Sequence, residues 1–162
     1  MLISNEWLKD YVNVDQSVQA LAERITRTGI EVDDIIDYTK DIKKLVVGHV
    51  LSKTPHPDAD KLNICQVDLG EEEPVQIVCG APNVDEGQHV IVAKVGGRLP
   101  GGVKIKRAKL RGERSEGMIC SLQEIGISSH VTPKNYESGI YVFPEAVKPG
   151  TDALEAIYLN DQ

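Results

Sequence analysis

Apolar positions along this chain follow two periods, and the change between them falls near residue 40. In the first 38 residues they recur at helical spacing. Trp7, Leu8, Tyr11 and Val12 form one stripe, with Ser4 as a candidate N-cap and Glu6 in the first turn. Val18, Leu21, Ala22 and Ile25 form a second, on the i, i+3, i+4, i+7 template of an amphipathic helix. Asp15 is placed to cap that helix, and Gly29 stands where a C-terminal glycine belongs. Residues 32–38 read as a short strand. A piece with two helices this short cannot bury its own faces, so it is expected to pack on something else.

From about residue 44 the period becomes two. Short β-branched runs at 45–51, 62–69, 75–79, 90–95, 103–111, 117–120 and 140–143 are separated by Pro55 and Pro57, Gly70, Gly80-Ala81-Pro82, Gly96-Gly97, Pro100-Gly101-Gly102 and Gly112. Residues 122–125 allow one helical turn. Evenly spaced short strands without long helices between them predict a closed small barrel or a sandwich, and an OB-type barrel fits best. After Pro149-Gly150, Thr151 is placed to cap a last helix over 152–159, with Ala153, Leu154, Ile157 and Tyr158 on its apolar face. The predicted fold is mainly β: a barrel at 39–150, with the helical segment 1–38 before it and a short helical segment at 151–162 after it. Deleting both ends is expected to leave a folded barrel.

Composition constrains the core and the compartment. Hydrophobic residues make up 41% of the 162 but aromatics only 4%, so the core is aliphatic. No charged segment followed by a long apolar run opens the chain, and no apolar stretch approaches the roughly 20 residues of a membrane helix. The three cysteines, Cys65, Cys79 and Cys120, are widely spaced and odd in number, which fits buried reduced thiols in a cytoplasmic protein.

Charge changes the picture most. The chain carries −7 overall, which excludes a uniformly basic polymer binder. Yet Lys94, Arg98, Lys104, Lys106, Arg107, Lys109, Arg111 and Arg114 fall in one window whose single anion is Glu113. That window carries +7 and the remainder −14. In 103–111 the apolar alternation slips at Lys106-Arg107. A β-bulge there would leave Lys104, Lys106 or Arg107, Lys109 and Arg111 on one strand face. Such a run is commonly a solvated strand face, but like charges without anions between them repel and point to a polyanion partner. No Phe, Trp or Tyr occurs from residue 39 to 135, so bases have little to stack on, and phosphate and sugar contacts to a folded RNA are the expected mode.

Catalytic motifs do not develop. Gly112-Glu113-Arg114-Ser115-Glu116-Gly117 lacks the G-x-S-x-G spacing of a nucleophile elbow, and no Lys-Ser or Lys-Thr follows the glycines at 97–102. His56, Asp58 and Asp60 alternate like metal ligands, but Pro55 and Pro57 favour a turn with aspartates on backbone amides. Cys120 sits in an apolar run, as a core thiol does.

Three blocks carry a family resemblance: HPDADKLNICQVDLG at 56–70, QIVCGAPNV at 76–84, and VAKVGGRLPGGVKIKRAKLRGERSEGMICSLQEIG at 92–126. Together they resemble the tRNA-binding OB domains of the methionyl-tRNA synthetase C-terminus and of EMAP II-type cofactors. MLISNEWLKDYV at 1–12 and LAERITRTGIEVDDI at 21–35 resemble the start of bacterial phenylalanyl-tRNA synthetase β subunits. The resemblance implies that the OB barrel at 39–150 is inserted in a small, truncated α+β N-terminal domain, of which 1–38 is the first part and 151–162 the return. It also implies a tRNA-binding module without a catalytic site of its own, on a much longer subunit that pairs with an α subunit in a heterotetramer. ATP and magnesium belong to the parent enzyme, and no cofactor or metal is expected in this chain. On the nucleic-acid face the resemblance places Lys61, Asn63, Asn83, the cations from Lys94 to Arg114, Ser115, Met118 and Ser121. Two other readings stand beside it: an assembly or dimerisation module, and a freestanding tRNA-binding protein, against which residues 1–38 speak.

Overall fold

The computed structural model describes residues 3–35, 42–127 and 138–159, and the chain divides into two units, 1–38 and 39–162.

The first unit holds α1 (Asn5–Lys9) and α2 (Val18–Arg27). The cap of α2 is Ser17 and not Asp15: the Ser17 hydroxyl oxygen accepts from the Ala20 N–H at 3.3 Å. Gly29, at φ 97°, ends the helix as its position predicts. No residue of α2 is buried, and Ile3, Tyr11, Val12, Ile30 and Ile35 are exposed. The strand expected at 32–38 is absent over 32–35; its remainder lies outside the described residues, as does the Trp7 side chain.

The second unit is a curled antiparallel half-barrel. β1 (Lys43–His56), β2 (Ala59–Asp68) and β3 (Val75–Cys79) form a meander. β4 (His89–Leu99) pairs on the other edge of β1 and carries both β5 (Val103–Lys104) and, further along, β8 (Gly117–Ile119). β6 (Ala108–Leu110) and β7 (Glu113–Ser115) make a separate hairpin. The curl closes where the Glu116 N–H donates to the Gln76 carbonyl at 2.8 Å and the Val78 N–H to the Ser115 hydroxyl at 3.1 Å, bringing β3 to the β7–β8 segment.

The run Val90-Ile91-Val92-Ala93 is apolar throughout because both faces of β4 are covered. Val90 and Val92 join Val50, Val67 and Ile77 in one core; Ile91 and Ala93 join Leu45, Val47 and Phe143 in the other. The terminal helix α3 (Ala153–Leu159) belongs to that second core, through Ala153, Ala156 and Ile157. The apolar face expected on this helix is therefore covered by the barrel itself: Ile157 is buried and Leu154 packs against the same cluster. Burying them on β1 and β4 removes apolar area from water, the main favourable contribution to folding. The helix cap is Asp152, not Thr151; its carboxylate accepts from the N–H groups of Leu154 and Glu155 at 3.0 and 3.1 Å. Residues 140–143 make one isolated bridge, Val142 to Val90, and 122–125 form turns, not a helix. The three cysteines are free and buried, and burial pushes the Cys120 thiol up to about 12 and Cys65 to about 11.

Candidate nucleic-acid interface

The cations of the basic window do not share one strand. The chain leaves the sheet only after Ile105, which is 7% exposed in the core and still bonded to β4: its carbonyl accepts from the Gly96 N–H at 2.8 Å and its N–H donates to the Gly97 carbonyl at 3.0 Å. Lys106 and Arg107, where a bulge was expected, lie in no strand, so the predicted single face through Lys104, Lys109 and Arg111 is replaced by two separate features.

The first is a cation row on the main sheet. Arg98 of β4 stands opposite Lys104 of β5 on one side and Lys43 of β1 on the other. Opposed residues of an antiparallel pair share a face, so three exposed cations form a line across three strands. Beside Arg98 and Lys104 opens a cleft of about 570 Å³, which Lys106 and Arg107 also line, with Val95 and Ile105 as apolar floor. Arg107 is partly neutralised by Glu116, at 3.3 Å. Gly97 makes the row possible: a Cβ there would lie 2.7 Å from the Lys43 carbonyl oxygen.

The second feature is the β6–β7 hairpin. Its turn residues Arg111 and Gly112 have φ 51° and 92°, the positive pair that a two-residue type I′ turn needs. Arg111 is an unusual choice there, at a cost of about 1 kcal/mol; its guanidinium donates to the Asp58 carbonyl at 3.2 Å, which offsets part of it. Lys109 and Arg114 are direct cross-strand partners, a second pair of opposed like charges. Side chains mount this hairpin on the barrel. The His56 Nδ1 accepts from the Asp58 N–H at 3.0 Å, so its Nε2 carries the proton and donates to the Leu110 carbonyl at 2.9 Å. Gln76 donates to the Arg114 carbonyl at 2.9 Å. With both ring nitrogens engaged, His56 has no lone pair for a metal. Among the described residues no three His, Cys, Asp or Glu side chains gather as a metal site requires.

The remaining site residues divide. Lys61 is exposed and Asn63 half-buried on β2, beyond β1 from the row. Lys94 is paired with Glu71. Asn83 is not a free recognition group: its carboxamide donates to the Ile140 carbonyl and accepts from the Ile140 N–H, at 2.8 and 3.0 Å. Ser115 is also corrected. It is 4% exposed, and its hydroxyl bridges the Val78 N–H and the Gly117 carbonyl. Met118 packs on the core, and Ser121 caps a turn through Glu124, accepting from its N–H at 3.2 Å. Lys43 was missed because it lies outside the basic window and only the β1–β4 register brings it to Arg98. His56 and Gln76, which position the hairpin, leave no signal in spacing.

Exposed cations mounted on rigid strands, without stacking aromatics, make a surface for a polyanion. The tRNA-binding domain family (tRNA_bind) matches residues 45–152. The chain belongs to that family. Over all 162 residues this tRNA-binding domain protein is 99% identical to the phenylalanine–tRNA ligase beta subunit of Staphylococcus epidermidis (strain ATCC 12228 / FDA PCI 1200) and 82% identical to that of Staphylococcus aureus (strain USA300). In each case the chain spans 20% of the relative's length. Among solved structures, the MetRS related protein from Pyrococcus horikoshii is 24% identical, with TM-score 0.47, over 75% of this chain and 97% of that one.

Proposed function

We propose that this chain holds folded tRNA by its phosphate backbone and serves as a non-catalytic tRNA-binding module of a phenylalanyl-tRNA synthetase β subunit. The observation that carries the reading is the +7 window, whose Arg98 and Lys104 line up with Lys43 in a three-strand cation row and whose Lys109, Arg111 and Arg114 stand on a basic hairpin, in a chain of the tRNA-binding family. Phosphate contacts fix the position of an RNA and carry little base information, which matches the lack of aromatics beside the cations. In the longer ligase the α subunit is the partner, the compartment is the cytoplasm, and ATP and magnesium act at a catalytic site outside this chain.

The test is a charge reversal. Lys104→Glu with Lys109→Glu places one anion in each feature. The variant is expected to keep its melting temperature, since surface substitutions change stability by only about ±0.5 kcal/mol, and to lose affinity for different tRNAs to a similar degree. Undiminished binding contradicts the reading, as does self-association insensitive to salt without RNA binding, the behaviour of an assembly module.

A further inference from the structure

We propose that Lys43, Arg98 and Lys104 act as one phosphate clamp, in which Lys43 is supplied from outside the segment that defines the family. The inference rests on the tRNA-binding reading and adds which ladder of side chains grips the backbone. The family match begins at residue 45, so Lys43 lies just before it. The strand register nonetheless sets Lys43 opposite Arg98, and Arg98 opposite Lys104.

Like charges directly opposite one another on a sheet are destabilising. Here two such oppositions share Arg98, and among the described residues no carboxylate forms an ion pair with any of the three. The arrangement is also held in place: β1 is irregular between Lys43 and Leu45, and the approach of Lys43 to β4 tolerates no side chain at Gly97. A fixed row of mutually repelling cations is relieved by an anion seated along it.

The chemistry of the row selects the anion. Adjacent strands lie about 4.8 Å apart, so the row spans roughly 10 Å. Phosphates are closely spaced along a nucleic-acid strand, one per about 3.4 Å of axis in a B-form duplex, so a row of this length can meet more than one of them. The Arg98 guanidinium offers a planar fork for two oxygens of one phosphate, and a lysine on either side supplies a point charge to its neighbours. A protein surface would instead be met by aromatic anchors, and none occurs between residues 39 and 135.

The experiment compares the 162-residue chain with Lys43→Gln/Arg98→Gln/Lys104→Gln and with a charge-matched control, Arg24→Gln/Arg27→Gln/Lys148→Gln. Folded tRNA is titrated against each at two salt concentrations, and melting is recorded at low salt without RNA. The row variant is expected to lose roughly tenfold or more in affinity, and its slope of log K against log salt to flatten by about 2. It should also melt no lower than the unsubstituted chain, because repulsion has been removed, while the control keeps most of the affinity and the slope. Lys43→Gln alone should flatten the slope by about 0.7–0.9. If the unsubstituted chain binds tRNA and the row variant binds as well, the clamp is overturned and the tRNA-binding reading survives. If Lys43→Gln alone changes nothing, the clamp as stated is overturned, since Lys43 has no part in it. If the unsubstituted chain binds no tRNA, both fall. A row variant that melts well below the control is not relieved of repulsion and also contradicts the clamp.

Discussion

The sheet row and the β6–β7 hairpin carry the same kind of charge but are positioned by different forces. Lys43, Arg98 and Lys104 stand in line because the backbones of β1, β4 and β5 are in register. Lys109, Arg111 and Arg114 stand on a two-stranded ribbon, a unit only marginally stable by itself. What holds the ribbon to the barrel is mainly side-chain chemistry, from His56, Gln76, Arg111 and Ser115. A backbone register is broken only by disturbing the sheet. A side-chain mount is weakened by a single substitution at a residue, such as His56 or Gln76, that is not itself a cation.

The largest effect is expected from Gly97→Val. A Cβ at this position would meet the Lys43 and Lys94 carbonyl oxygens at 2.7 and 2.8 Å, so backbone must shift. We expect a loss of about 1–3 kcal/mol in chemical denaturation, with loss of the row's share of tRNA binding. His56→Ala should act only on the hairpin. It removes the donor to the Leu110 carbonyl and the acceptor for the Asp58 N–H, at about 1–3 kcal/mol, and it should weaken tRNA binding without altering the row. Because the two features share no partner, combining His56→Ala with Lys104→Gln should give additive losses of binding free energy, to within about 0.5 kcal/mol. Strong non-additivity would mean that row and hairpin act as one site.

A smaller effect tests the β1–β4 seam by pH. His49 and His89 stack across it, with ring centroids 4.4 Å apart. Burial, and then the charge of His49, holds His89 below its ordinary value of 6.5. The unfolded chain therefore takes up that proton first as pH falls. The stability this group contributes is complete above about 6.5 and declines below it, until the folded-state value is passed. Thermal melts from pH 7.5 to 5.5 should show the decline, and His89→Gln should flatten it. The smallest effect is expected from Lys61→Gln, which lies apart from both features and should change the salt slope by no more than one contact, about 0.7–0.9.

Much of the barrel was legible because period-two runs and Gly-Pro punctuation report local geometry. Residues 75–79 form β3 as read, the runs at 45–51 and 90–95 lie within β1 and β4, and the run at 62–69 passes the end of β2 by one residue. The run at 103–111 misled because its phase slip has two solutions, a bulge or an exit from the sheet. Pairing of 108–110 with 113–115 and not with β4, a matter of tertiary structure, decides between them. β7 was missed because Glu113-Arg114-Ser115 has no apolar alternation and is a strand only through pairing with β6. The basic window was visible as composition, but its division into two features, and the enlistment of Lys43, depend on register between distant segments. Asn83 and Ser115, placed on the nucleic-acid face by resemblance, serve the barrel's own hydrogen bonds.

The most direct measurement is the affinity of the 162-residue chain for folded tRNA across a salt series. The row and the hairpin together predict several phosphate contacts, hence a linear fall of log K against log salt with a slope steeper than about −2. Binding that is tight and nearly independent of salt would contradict the account, since it would place the affinity in contacts other than these cations.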